Sequence, residues 1–207
     1  MTPAKRAIDI GFALFLGAIA LPILATVAAL ILLRDGTPVF YVSERMHSPT
    51  RPFGLIKFRT MRTAARDRGV TGPDKADRIT PLGRTLRRTR LDELPQLWNI
   101  LMGDMSFVGP RPPLRRYVES HPELYRQVLQ ARPGVTGLAS LIYADHEERL
   151  LSRARSAEET EAIYVRACVP RKAALDLMWQ RDWSLCFDFW ILWRTLRGRV
   201  RAGRKGL

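Results

Sequence analysis

Ile10–Leu33 reads IGFALFLGAIALPILATVAALILL, 24 residues without a charge, preceded by Lys5, Arg6 and Asp9 and followed by Arg34 and Asp35. A secretory signal carries an apolar stretch of only about 7–15 residues and ends at a small-x-small site, so this run is too long for one. A bilayer core takes about 20 apolar residues in a helix, whereas a soluble core helix runs about 10–14. The segment therefore predicts a membrane anchor. Pro22 falls near its middle, where it lacks a backbone donor and crowds the preceding turn, so a kink or break is expected. Two topologies follow. A straight helix would carry Arg34 across the bilayer; a helix broken at Pro22 would dip in and return both ends to one face. Basic residues on both flanks favour keeping both ends inside, yet proline is tolerated in spanning helices, so the residues alone leave both open.

The other end of the chain carries a second membrane signal. Trp179, Trp183, Trp190 and Trp193, four of the five tryptophans, fall within 15 residues among Leu185, Phe187, Phe189, Ile191 and Leu192. Tryptophan favours the headgroup boundary. Six basic residues and no acid follow from Arg194 to Leu207, each worth about 1 kcal/mol near an anionic leaflet. An interfacial helix with a polybasic tail is expected, with an ordinary core helix and a solvated tail as the alternative.

Composition narrows the class. The 207 residues carry 34 basic and 20 acidic side chains, a net charge of +14, with 46% hydrophobic residues. That is enough apolar material for a core and excludes disorder or a disulfide-stapled miniprotein. The basic balance points to an anionic partner. Cys168 and Cys186 form no CxxC and have no nearby histidine pair, so they are read as packing residues. Between the two membrane signals, 37–42 and 53–58 are short, aromatic and β-branched and predict two strands. Residues 62–76 are polar with Gly69, Gly72 and Pro73 and predict a loop or frayed helix. A helix is expected over 91–102, with Pro95 near its start and Gly103 ending it. The GPRPP run at 109–113 must turn rigidly, and helical patterns resume over 114–129 and from about 157 to 197. The fold class is α+β, mostly helical, with a small β element and amphipathic interfacial helices.

Asp92 and Glu93 stand at the start of the 91–102 helix, with Thr89 placed to cap it. Helix-start acids commonly do no more than complement the dipole. Here Arg78, Arg84, Arg87, Arg88 and Arg90 lie just upstream and Arg111 sits between prolines downstream, which is a setting for phosphates. A carboxylate in such a site can attack phosphorus, or two carboxylates can hold Mg²⁺ against phosphate oxygens. Lys57 and Arg59 fall on one face of a strand, placed to reach one pyrophosphate. No Walker loop, GxGxxG, GxSxG or HExxH occurs, and His47, His121 and His146 form no ligand pattern, so ATPase, dehydrogenase, serine hydrolase and zinc protease classes have no support.

The ordered runs KFRTM (57–61), DRITPLGR (77–84), LDELPQL (91–97), GDMSFVGPRP (103–112) and PGVTG (133–137), with the opening Lys5-Arg6-x-x-Asp9, resemble the bacterial sugar transferases, the monotopic phosphoglycosyl transferases, in a minimal single-domain form. The resemblance implies transfer of a sugar-1-phosphate from a nucleoside diphosphate sugar, by default a uridine diphosphate sugar, to polyprenyl phosphate. Asp92 would be the nucleophile that carries a covalent phosphosugar, and Glu93 would help hold Mg²⁺. Lys57, Arg87 and Arg111 match basic positions of the family expected to contact phosphates; Arg59, from its strand face, and Arg78, from the basic run before the acids, join them as candidate substrate contacts. It also implies a re-entrant membrane helix over 1–36 and a catalytic domain over 37–207 on the cytoplasmic face of the bacterial inner membrane. The partners would be the two substrates and inner-membrane lipids, with no nucleic acid; a homo-oligomer is left open. Leu21-Pro22 stands where the family has Ser-Pro, and LASLIYAD at 138–145 replaces the family's WAQVNGRN, so no particular sugar is inferred. The alternatives are a catalytically silent membrane scaffold and a polyanion-binding protein.

Overall fold

The structure, a computed structural model, describes residues 2–62 and 78–204, with side chains described as far as residue 197. The expected loop over 62–76 and the basic tail beyond Arg197 lie largely outside the described residues and side chains.

Helix α1 spans Pro3–Arg34. The Thr2 hydroxyl accepts from the Lys5 N–H at 3.3 Å and Pro3 occupies the first turn, a start that satisfies one orphan donor and needs no other. The helix continues through Pro22 with no non-helical residue, so the expected break takes at most the form of a bend. Two features favour bending there. Pro22 cannot donate to the preceding turn, and the Thr26 hydroxyl bonds back to the Pro22 carbonyl at 2.8 Å.

An antiparallel hairpin follows, β1 (Phe40–Met46) and β2 (Pro52–Phe58), in the register Tyr41↔Lys57, Ser43↔Leu55 and Arg45↔Phe53. The first strand thus begins and ends later than the expected 37–42, because Gly36 takes a left-handed φ of 75° and the chain straightens only at Phe40. Helix α2 (Pro81–Thr89) is capped by Thr80, whose hydroxyl accepts from Gly83 N–H at 2.9 Å. Gly83 itself packs on the Thr60 carbonyl so closely that no Cβ fits.

The expected single helix over 91–102 is two pieces. Arg90, at φ 58°, turns the chain into a 3₁₀ turn at Leu91–Glu93, and α3 (Gln96–Met102) starts only after Pro95 and stops at Gly103, φ 88°. Thr89 does not cap it: Thr89 lies inside α2 and its hydroxyl bonds back to the Thr85 and Leu86 carbonyls.

Strand β3 (Ser106–Val108) pairs in parallel with β4 (Gly134–Thr136). Between them lie α4 (Arg115–Ser120) and α5 (Pro122–Val128), two helices where one was expected, since Pro122 interrupts the run. Then come α6 (Leu138–Ile142), α7 (Ala144–Leu151), α8 (Ala157–Ile163), a π-helical turn at Tyr164–Cys168, α9 (Val169–Arg181) and α10 (Leu185–Arg204).

The ends of α1 dock on one body. Ala13 and Leu16 join a core of Phe53, Leu55, Ile100, Phe107, Trp179 and Ile191, while Val27 and Ile31 pack on Phe58 and Leu86. Outward, Leu14, Phe15, Ile19, Leu21 and Leu33 stand exposed, an apolar surface on a helix long enough to cross a bilayer.

A buried polar cluster anchors the start of α1. Lys5 Nζ lies 2.7 Å from Asp188 and 3.6 Å from Asp9; Ser106 Oγ donates to Asp9; and the Trp179 and Trp183 indoles donate to Asp188 at 3.0 and 3.2 Å. Asp188→Ala leaves the buried ammonium with only the longer contact to Asp9 and strands two indole N–H groups. It should cost about 3–5 kcal/mol, read from the unfolding midpoint in nanodiscs, and a loss under about 1 kcal/mol would contradict this reading of the cluster.

Candidate active site

The 3₁₀ turn at Leu91–Glu93 places two adjacent acids, Asp92 at 8% and Glu93 at 9% exposure, on the wall of a cavity of about 930 Å³. Lys57, Arg59, Arg78, Arg87 and Arg111, all singled out in the sequence, line the same cavity. Different elements bring them. Lys57 comes from β2, Arg87 from the last turn of α2, and Arg111 from the turn after β3. That turn is held by backbone bonds from Gly109 to Thr136 and from Gly134 to Pro110, and a Cβ on Gly109 or Gly134 would collide with the facing chain.

The two acids have unlike surroundings. Glu93 accepts from Lys57 Nζ at 3.0 Å, Arg111 at 3.2 Å and Arg90 at 3.4 Å. Burial alone would push its pKa up, but Arg111, Lys57 and Arg90 together outweigh burial and hold it down to about 2. Asp92 accepts no hydrogen bond from a described residue. Burial, and then the neighbouring Glu93 charge, raise its pKa against the pull of Lys57, Arg87 and Arg90. A carboxylate whose lone pairs are uncommitted and whose basicity is raised is equipped to attack an electrophile.

The basic residues also divide. Arg87 is steadied by Thr60, its Nε donating to that hydroxyl at 2.8 Å. Arg78 donates to the Arg62 carbonyl. Arg59 does not share a pyrophosphate-sized position with Lys57: its guanidinium turns to the carbonyls of Asp35, Gly36 and Thr37 at 2.6, 2.6 and 3.0 Å. It ties the end of α1 to the hairpin, where a cation also complements the helix dipole.

Three positions escaped the sequence reading. Arg45 lines the cavity from β1. Asn99 is buried and clamps α3 to β2, accepting from Ile56 N–H and donating to the Gly54 carbonyl. Tyr164, in the π-helical turn, lies by Lys172 and Glu147, whose ammonium and carboxylate meet at 2.8 Å. Arg45 follows the polar Ser43 and Glu44, where no apolar alternation marks the strand; Asn99 and Tyr164 act through non-local contacts.

A profile of the bacterial sugar transferases matches residues 1–202. The chain belongs to the bacterial sugar transferase family. It is 35% identical to an uncharacterized sugar transferase, EpsL, of Bacillus subtilis, over 93% of this chain and 85% of that one. It is 33% identical to the UDP-glucose:undecaprenyl-phosphate glucose-1-phosphate transferase of Escherichia coli, over 93% of this chain but only 39% of that longer protein. With the exopolysaccharide production protein PSS of Rhizobium leguminosarum it shares 35% identity over 97% of this chain and 96% of that one.

In this sugar transferase, Glu93 is a stability element as well as a site residue. Its lowered pKa means its contribution is complete above the ordinary value of 4.5 and is lost as pH falls toward about 2. Glu93→Gln should therefore cost about 2–3 kcal/mol at pH 7, less than a fully buried pair because Arg111 is partly exposed. Asp92→Asn removes a like charge and should hold or raise the unfolding midpoint. Both are read by thermal unfolding, and a destabilised Asp92→Asn alongside an unchanged Glu93→Gln would reverse the assignment of the two acids.

Proposed function

We propose that the chain is a phosphoglycosyl transferase that moves a sugar-1-phosphate from a uridine diphosphate sugar to polyprenyl phosphate, through a covalent intermediate on Asp92. The observation that carries this reading is the asymmetry of the acid pair: Glu93 is neutralised by three cations while Asp92 accepts no hydrogen bond from the described residues. The names of the relatives support the substrates, since the Escherichia coli protein is a UDP-glucose:undecaprenyl-phosphate transferase.

In the first step an Asp92 oxygen attacks the phosphorus that bears the sugar. A P–O bond forms, the bond to the nucleoside monophosphate breaks, and that monophosphate leaves with the electron pair. In the second, a phosphate oxygen of the polyprenyl phosphate attacks the same phosphorus, and the Asp92–phosphorus bond breaks. Lys57, Arg87 and Arg111 stand where they offset the charge of the diphosphate in both steps. The product is a polyprenyl diphosphosugar, the starting point for polysaccharide or glycoconjugate assembly.

The acid pair fits Mg²⁺. Such an ion takes one or two carboxylates and completes its shell with phosphates and water, and Glu93 Oε2 has only the 3.4 Å contact with Arg90. Among the described residues no cluster of three or more His, Cys, Asp and Glu side chains offers an alternative. Glu93, beside Asp92, would hold the ion, which would supply charge neutralisation at the phosphates.

One substrate is a lipid that stays in the bilayer and the other is soluble, so the acids belong at headgroup height. The docking of both ends of α1 on one body supports a re-entrant, monotopic anchor, and the exposed Phe189, Trp190 and Trp193 of α10 support an interfacial helix. The basic residues on both flanks of α1 favour a catalytic domain on the cytoplasmic face of the inner membrane.

The test incubates nanodisc-held protein with Mg²⁺, undecaprenyl phosphate and a panel of uridine diphosphate sugars and follows release of uridine monophosphate. Release should require the lipid for turnover, stop with EDTA, and fall at least about 10³-fold in Asp92→Asn. Acid should also stop it, with a midpoint above the ordinary aspartate value of 3.8, because Asp92 must be ionised to attack and its pKa is raised. Release that survives Asp92→Asn would sink the covalent mechanism; silence across the panel would favour the scaffold.

A further inference from the structure

On the hairpin, residues paired across β1 and β2 share a face, so Tyr41, Ser43 and Arg45 stand with Lys57, Leu55 and Phe53. Leu55 and Phe53 are buried in the core, which turns this face inward and leaves Lys57 and Arg45 along one side of the cavity. Lys57 meets Glu93 there. Arg45 meets another cation, Arg111, with the neutral phenols of Tyr41, Tyr117 and Tyr164 as its other titratable neighbours. Burial, and then Arg111, push the Arg45 pKa down, so the charge is held where the surroundings disfavour it.

The other cavity-lining guanidiniums near it have acceptors. Arg111 and Arg90 reach Glu93, Arg115 forks onto Glu44 at 2.8 and 3.1 Å, and Arg116 reaches Glu161 at 3.1 Å. Arg45 has no hydrogen-bond acceptor and no ion-pair partner among the described residues. A half-buried guanidinium beside a like charge costs stability, and its five donors in a planar fork match phosphate.

We infer that Arg45 is a phosphate-binding residue of the active site, its guanidinium donating to phosphoryl oxygens of a substrate alongside Arg111. This rests on the transferase reading for the identity of the substrate but not for the presence of an anion site. The chemistry is a phosphate dianion or diphosphate, supplied by the nucleotide sugar or by the polyprenyl phosphate. Glu93 already occupies one side of Arg111, so an anion between Arg111 and Arg45 completes a charge balance that the protein leaves open. No bond is made or broken at Arg45.

The test compares the native chain, Arg45→Gln and Arg45→Lys in nanodiscs. Affinities are measured for inorganic pyrophosphate and for uridine diphosphate, together with the KM for undecaprenyl phosphate, and each variant's unfolding midpoint is recorded. Arg45→Gln should keep or raise the midpoint while weakening pyrophosphate binding about 10–100-fold, as loss of a charged hydrogen-bond fork would; Arg45→Lys should recover part of the loss. A parallel loss for uridine diphosphate assigns the site to the nucleotide, and a loss confined to the lipid KM assigns it to the lipid phosphate. Pyrophosphate binding that depends on Arg45 in a chain that releases no nucleoside monophosphate would keep the anion site and fail the transferase reading. Unchanged affinity for pyrophosphate and uridine diphosphate with an unchanged lipid KM, or a midpoint that collapses in both variants, would overturn the inference.

Discussion

Glu93 is the point on which the site closes. A lysine from the hairpin, an arginine from the turn after β3 and an arginine from the end of α2 converge on its two oxygens. Two segments far from Glu93 in the chain, those of Lys57 and Arg111, are thereby held at hydrogen-bond distance by one buried carboxylate, with Arg90 of the adjoining turn closing the third side. The desolvation that such a carboxylate costs is offset only because all three cations are present. The same convergence determines what the neighbouring acid can do. With Lys57, Arg90 and Arg111 committed to Glu93, Asp92 feels the field of Lys57, Arg87 and Arg90 without being tied by a hydrogen bond. The cavity thus separates two adjacent carboxylates into an ionised structural acid and a more basic one facing open space, the kind of divergence that assigns different chemical roles to a pair.

The membrane helix is part of this construction. At its start the ammonium of Lys5 reaches Asp188 of α10, and Arg6 donates to the Ile100 and Leu101 carbonyls at the end of α3, at 2.6 and 2.8 Å. At its end the Arg59 fork gathers the carbonyls of Asp35, Gly36 and Thr37, and Thr80 donates to Asp35. β2 and α2, which carry Lys57 and Arg87, and α3, which follows the turn that carries the acids, are the elements that α1 grips. The position of the acids relative to α1 is therefore fixed by packing and hydrogen bonds rather than by a flexible tether.

Local composition made some of this legible and non-local contact hid the rest. Ile10–Leu33 declares itself because no soluble core needs 24 uncharged residues in a row. Asp92 and Glu93 stand out because their arginine-rich surroundings have no structural reason to be so basic. Thr89 misled because capping depends on where α2 ends, and the left-handed Arg90 that ends it has no signature in its side chain. Arg45 was missed because its face of β1 turns to a polar cavity, so Tyr41, Ser43 and Arg45 lack the apolar alternation that marks a strand. Arg59 and Lys57 share a strand face by period, but Arg59 lies just past the end of β2, where its guanidinium, though it lines the cavity, is taken up by helix-end carbonyls. Asn99 reads as an ordinary helical polar residue until Gly54 and Ile56 are seen beside it.

The proposed covalent step on Asp92 has a direct test. Protein in nanodiscs without polyprenyl phosphate is mixed with Mg²⁺ and the uridine diphosphate sugar that supports turnover, quenched, and weighed intact, with peptide mapping of any adduct. The expected result is one sugar-phosphate increment on the peptide containing Asp92, with a matching single equivalent of uridine monophosphate, discharged when polyprenyl phosphate is added. Turnover with no adduct in the absence of lipid, or an adduct that persists in Asp92→Asn, would contradict Asp92 as the nucleophile.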